Sequence, residues 1–156
     1  MCEREVILKD SIRINAPPEK VWHYLENPGL LKRWNPKIKE IVPISWGQPA
    51  RGHRYRITYV MGGKEREFSA EIEEYQSPVN LVIRLTGGSL PPTGYAQELY
   101  ELSREHGETL LTQTIRVHNS GINVLVRLLM AVLQRFGKPT GKKYLVLLKE
   151  LVEGNA

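Results

Sequence analysis

The sequence predicts an α+β protein: one strand, two short helices, six consecutive strands and a long C-terminal helix, in a single domain over residues 1–156. Three observations predict it. A proline-led helix start follows the first strand. Residues 37–117 carry β-branched and aromatic residues punctuated by regular turns. The tail is apolar at nearly every position from Ile122 to Phe136. Strands joined by short links form an antiparallel meander, and such a sheet with one dominant helix is α+β.

Each element has a local cause. Glu5–Ile14 reads as a strand from the alternation Ser11-Ile12-Arg13-Ile14. Asn15-Ala16-Pro17-Pro18-Glu19 starts a helix, since proline suits the first helical turn, where its missing N–H is not needed. Val21, Trp22 and Leu25 then share one face. Asn27-Pro28-Gly29 ends that helix, and Leu30–Trp34 forms a second, stopped by Asn35-Pro36. The predicted strands are Ile38–Ile44, His53–Val60, Lys64–Tyr75, Leu81–Thr86, Tyr95–Ser103 and Thr109–Val117. The tail predicts helix from Ile122 to Val152, kinked or broken at Gly137 and Pro139.

Turn chemistry sets the register. Gly62-Gly63 suits a two-residue hairpin, which requires positive φ. Ile57 then pairs with Phe68, Tyr59 with Arg66 and Tyr55 with Ala70. Arg54, Arg56, Thr58, Glu67, Ser69 and Glu71 share the solvent face. His53, Tyr55, Ile57, Tyr59, Arg66, Phe68, Ala70 and Ile72 share the inner one. Across His106-Gly107, Leu102 meets Leu111, Tyr100 meets Gln113, Glu98 meets Ile115 and Ala96 meets Val117, and this apolar-rich face also turns inward. The inner face therefore carries a polar minority: Tyr55, Tyr59, Arg66, Glu98, Tyr100 and Gln113. Burying an unpaired charge costs several kcal/mol. These groups pair with one another, line a wet cavity, or stand at its mouth. An ion pair between Glu98 and Arg66 or another arginine is the simplest expectation. A carboxylate left in an apolar cavity would instead have a raised pKa and could serve as an acid or base.

Composition narrows the function. The chain has 156 residues, 41% hydrophobic and 25% charged, enough for one domain with a true core. Cys2, the single cysteine, excludes an internal disulfide and a thiolate metal cage. His23, His53, His106 and His118 lack metal-ligand spacing, so no metal is expected; no cofactor-binding motif is found either. The net charge of +5 permits an acidic partner without requiring one. Arg51-Gly52-His53-Arg54-Tyr55-Arg56 mixes basic and aromatic residues, but the register sets Arg54 and Arg56 opposite acids, so no nucleic-acid partner is expected. No apolar run reaches the ~18 residues of a membrane span. The charged N-terminus lacks a signal sequence, and a cytoplasmic location is expected.

The run from Ser11 to Trp22, followed by Trp34-Asn35-Pro36, resembles the opening of the START/Bet v 1-like (SRPBCC) superfamily, most closely its polyketide cyclase/dehydrase-like branch. Ala70–Pro78 with Leu81 resembles that family's fourth strand and turn. Tyr100-Glu101-Leu102 with Gly107–Leu111 resembles its last hairpin, and Leu148–Glu153 the end of its C-terminal helix. The resemblance spans the chain in order. It implies a helix-grip fold: a seven-stranded antiparallel sheet wrapped around a long C-terminal helix, with two short helices after strand 1 and an apolar cavity between sheet and helix. Members bind lipids, sterols, quinones, hormones or polyketides, and some are cyclases or dehydratases. The family has no universal catalytic motif, so the resemblance transfers no catalytic residue.

The expected ligand-binding residues are Trp34, Tyr55, Tyr59, Arg66, Phe68, Glu98, Tyr100, Gln113, Met130, Leu133 and Phe136. The expected function is binding or carrying a small hydrophobic molecule, a lipid, quinone or polyketide-like compound. A cyclase or dehydratase using Tyr55, Tyr59, Arg66 or Glu98 to orient carbonyls and move protons is the alternative. A weak membrane-surface contact through Ile122–Phe136 and its nearby basic residues ranks third. Oligomeric state is left open.

Overall fold

The computed structural model describes residues 5–61, 63–88, 90, 93–118 and 144–154. Strand β1 (Glu5–Ile14) leads into helices α1 (Pro18–Glu26) and α2 (Pro28–Trp34). Six strands follow: β2 (Ile38–Pro43), β3 (Arg54–Met61), β4 (Lys64–Gln76), β5 (Asn80–Gly87), β6 (Tyr95–Glu105) and β7 (Glu108–His118). Helix α3 (Tyr144–Val152) completes the described elements. The sheet has seven strands in the order β1-β7-β6-β5-β4-β3-β2. Every neighbour is antiparallel, so the meander ends with β7 beside β1.

Asn27 separates α1 from α2 and also caps α2. Its side-chain oxygen accepts from the Gly29 N–H at 3.0 Å, and Pro28 occupies the first turn. The second helix thus begins two residues before the expected Leu30. The β3–β4 hairpin has the register that its glycine pair predicts, from Arg54 opposite Glu71 to Met61 opposite Lys64, with Gly63 at φ +77°. The β6–β7 turn uses His106 at φ +51° and Gly107 at φ +81°, and Tyr100 faces Gln113 as expected.

The core lies between the concave face of the sheet and the helices. Ile14, Val21, Leu25, Trp34, Leu81, Tyr100, Leu111, Leu145, Leu148 and Val152 are all essentially inaccessible. Thr109, also fully buried, donates its hydroxyl proton to the Ala16 carbonyl at 2.7 Å and ties the start of β7 to the loop before α1.

The C-terminal helix requires a correction. The described helix is the nine-residue α3, not a long rod. The expected helical segment from Ile122 through residue 143, with its break at Gly137 and Pro139, lies outside the described residues. So do Met130, Leu133 and Phe136. In α3, Tyr144, Leu145, Leu148 and Val152 form the buried stripe, the spacing of one helical face.

Register also breaks once in β4. A bulge between Ile72 and Glu74 changes the alternation, so Tyr75, not Glu74, takes the half-buried position opposite Leu81. At the other end of the sheet, Gly88 sits at φ +58° directly against the Phe68 ring, which packs edge-on to Tyr59 at 5.6 Å. A Cβ at position 88 would overlap that ring. Gly88→Ala is expected to lower stability by ~1–3 kcal/mol, seen as an earlier urea midpoint. An unchanged midpoint would show that Phe68 can move away without loss.

Candidate binding site on the inner face of the sheet

Four strands supply the site. β3 contributes Tyr55 and Tyr59, β4 contributes Phe68, β6 contributes Glu98 and Tyr100, and β7 contributes Gln113. The period-two alternation turns them all to one side. Tyr55, Tyr59, Phe68, Tyr100 and Gln113 are buried, whereas Arg66 and Glu98 are half-buried.

Glu98 lies in an otherwise apolar row. Its neighbours in register are Ile83 and Ile115, and the row continues to Ile72 on β4 and Leu8 on β1. Two residues along the strand, the Tyr100 hydroxyl donates to Glu98 Oε2 at 3.0 Å. The same hydroxyl accepts from Gln113 Nε2 at 3.2 Å. The Gln113 amide, the Tyr100 hydroxyl and the Glu98 carboxylate form one directed chain that satisfies each buried polar group it passes.

The expected Arg66–Glu98 ion pair is not part of this arrangement. The row of Glu98 crosses β4 at Ile72, six positions from Arg66. At ~3.3 Å per residue that is ~20 Å along the strand, in addition to two strand spacings. Arg66 stands near the turn end of the β3–β4 hairpin, opposite Tyr59. Glu98 accepts from the Tyr100 hydroxyl.

The tyrosines are electrostatically coupled to this carboxylate. Burial pushes the Tyr100 phenol well above its ordinary range, and the negative charge of Glu98, the proximity of Tyr59 and the hydrogen bond to Glu98 push it further. Burial also raises Tyr55 far above its ordinary value, again with a contribution from Glu98. The row of Tyr55 holds Ala70, Leu85 and Ala96, one step along the sheet from the row of Glu98. Both phenols keep their protons at neutral pH, and that of Tyr100 donates to Glu98. A pH dependence follows. Their folded pKa values lie above the unfolded value of 10.0, so the stability they contribute is intact below that pH and declines above it. Denaturant midpoints are expected to fall from about pH 10 upward, and less so in Tyr100→Phe. A flat alkaline profile would contradict the burial of these hydroxyls.

Trp34 reaches the same group from α2. Its ring meets Tyr100 edge-on with centroids 6.4 Å apart, and its Nε1–H donates to the Tyr24 carbonyl at 3.2 Å. The structure thus joins Trp34, Tyr100, Gln113 and Glu98 through direct contacts and Tyr59 with Phe68 through theirs.

Two groups escaped the sequence reading. Asp10 lies opposite Gln113 on β1 and is half-buried on the inner face. The period that turns Ile12 and Ile14 inward also turns Asp10 inward, so the signal was present. The second is a cluster at the end of α1. Glu26 Oε2 accepts from Trp22 Nε1 at 2.9 Å and from the Tyr75 hydroxyl. Burial, and then the bond to Glu26, raises the pKa of Tyr75. Only the β4 bulge brings Tyr75 to this cluster, and no sequence pattern announces it.

His53 Nε2–H donates to the Trp46 carbonyl at 3.1 Å and so fastens the β2–β3 loop. An open surface groove of about 680 Å³ runs along the bulged part of β4 but is lined by none of the candidate residues. Among the described residues, no group of histidines, cysteines and carboxylates has the arrangement of a metal site.

The sheet order, the two helices after β1 and the C-terminal helix together define a START/Bet v 1-like α+β protein. The chain belongs to the family described as polyketide cyclase / dehydrase and lipid transport, whose model matches residues 5–153. Solved structures share the fold at low identity. Ara h 8.0201 is 15% identical with a TM-score of 0.70, covering 97% of this chain and 100% of its own. TTHA0849 from Thermus thermophilus is 18% identical with a TM-score of 0.72, covering 97% and 99%. SA2116 from Staphylococcus aureus, a protein of unknown function, is 16% identical with a TM-score of 0.70, covering 97% and 96%. A search of curated proteins finds no match.

Proposed function

We propose that the protein binds or carries a small hydrophobic ligand, of the lipid, quinone or polyketide-like class, between the inner face of the sheet and the C-terminal segment. The observation that carries this reading is the Gln113–Tyr100–Glu98 chain set among Ile72, Ile83 and Ile115. A mostly apolar wall with a few fixed polar groups is the usual make-up of a small-molecule site. The family's description, which includes lipid transport, points the same way.

In this reading the apolar row receives the ligand body and the polar chain orients its carbonyl or hydroxyl end. Met130, Leu133 and Phe136 would add apolar lining from the C-terminal segment, and Arg66 would stand at the mouth. The proposed setting is cytoplasmic, and no described helix is long and apolar enough to cross a membrane. The cyclase or dehydratase reading draws on the other half of the family description. Neutral Tyr55 and Tyr100 could orient the carbonyls of a polyketide chain, but their raised pKa values keep them protonated at neutral pH, so neither takes up a proton. Binding is therefore the better-supported function.

Native mass spectrometry and titration with a fluorescent fatty acid test the proposal. Wild type is expected to bind, and Tyr100→Phe to weaken a ligand with a polar head about two- to tenfold, the worth of one hydrogen bond. A purely apolar probe should bind both forms alike. Absence of binding across lipids, quinones and aromatic polyketide mimics would end the proposal.

A further inference from the structure

The loop between β2 and β3 presents a feature the binding site does not use. Trp46 is 96% exposed, and Ile44 at the base of the same loop is 48% exposed. Indole burial is normally favourable, so a tryptophan displayed in this way is a candidate contact surface. Nor is this a frayed segment. The Ile44 and Ser45 N–H groups both donate to the Arg54 carbonyl, at 3.0 and 3.1 Å. The Arg54 N–H donates to Ser45 Oγ at 2.9 Å, and His53 holds the Trp46 carbonyl. The backbone is fastened while the indole projects.

Charge identifies the surface that such a loop fits. From Ile41 to Lys64 the chain contains no aspartate or glutamate but has Arg51, Arg54, Arg56 and Lys64. Arg54 and Arg56 contact Glu71 and Glu67 at 3.5 and 3.9 Å, in exposed pairs that are worth little in water. The loop itself is free of acids, although Glu26, Glu67 and Glu71 lie close by on other elements and Arg51 shares a groove with Glu71, Glu73 and Glu74. An indole beside arginines matches the headgroup region of an anionic bilayer. Beneath the loop lies a cleft of about 310 Å³, lined by Ser45, Gly47 and Pro49 on one side, His23 and Glu26 on the other, with Tyr55 of the inner face among its walls.

We propose that the β2–β3 loop docks the protein on anionic membrane surfaces, Trp46 entering the headgroup layer and Arg51 meeting lipid phosphates. Docked in this way, the cleft beneath faces the bilayer and offers the ligand a route toward Tyr55. That second clause rests on the carrier reading; the docking itself does not.

Co-sedimentation with phosphatidylcholine vesicles, with and without phosphatidylserine, tests it. Wild type is expected to bind the phosphatidylserine vesicles more tightly and to lose that preference at high salt. Trp46→Ala should weaken binding about tenfold or more, with Trp46→Phe in between. Brominated lipid should quench wild-type fluorescence more than that of Trp46→Phe, because Trp22 and Trp34 are buried. Failure of wild type to bind either vesicle, or equal binding by Trp46→Ala, would overturn the proposal. So would sedimentation velocity showing a wild-type dimer that Trp46→Ala dissociates, since the occupant would then be a second copy. Fluorescent fatty-acid binding without vesicles is measured alongside. Its retention in Trp46→Ala separates failed docking from a failed carrier reading, and its absence in both proteins defeats only the latter.

Discussion

Trp34→Ala is expected to remove ~3–5 kcal/mol of folding stability, the range for truncating a buried aromatic side chain. Several losses coincide at this residue. Its side chain is 1% exposed, at the end of α2 where that helix packs on β2 and α3. Truncation opens a cavity that neighbouring helices can close only by shifting. The edge-on contact with Tyr100 also disappears, as does the donor to the Tyr24 carbonyl. Trp34→Phe separates these terms: it keeps most of the ring and loses the hydrogen bond, so ~1–2 kcal/mol is expected. Urea unfolding followed by circular dichroism measures both. A loss below ~1 kcal/mol for alanine would mean that α2 is not seated on the sheet as described.

Leu148→Ala carries the second large effect, ~2–5 kcal/mol. Leu148 is completely buried in the middle of the α3 stripe, and α3 packs on β1, α1 and α2. The helix is also fastened at its surface. Lys149 Nζ donates to the Arg13 carbonyl at 2.8 Å and pairs with Glu153 at 2.7 Å. Lys149 is half-exposed while Glu153 is only 14% exposed, so Lys149→Ala should cost ~1 kcal/mol, well below the Leu148 loss. The contrast between adjacent residues is the test. Similar losses at both positions would show that α3 is held by its polar contacts rather than its apolar face.

Most of the sheet was legible because turn residues and alternation constrain each other. Gly62-Gly63 and His106-Gly107 pin two hairpins, and a one-residue slip in either would turn its entire apolar set outward. This is why the Tyr55–Ala70 and Tyr100–Gln113 pairings follow from sequence. Two features were hidden for physical reasons. The bulge at Glu73 adds a residue to one strand without a composition signal, so the meeting of Tyr75 with Glu26 was invisible. The tyrosine contact of Glu98 could not be inferred from charge alone. An arginine is the obvious counter-ion, yet register removes Arg66, while a tyrosine two positions along the same strand reaches the carboxylate. Exposure of Trp46 was equally unreadable, because loop residues follow no period that separates inside from outside.

The central claim is that the inner face of the sheet receives an apolar guest. Methyl NMR with labelled isoleucines during titration with a fatty acid tests it most directly. Ile57, Ile72, Ile83 and Ile115 report on the concave side and exposed Ile7 and Ile44 on other surfaces. Saturable shifts concentrated at Ile83 and Ile115, the two neighbours of Glu98, are the predicted result. Shifts confined to Ile7 or Ile44, with the concave methyls unmoved at saturation, would contradict it.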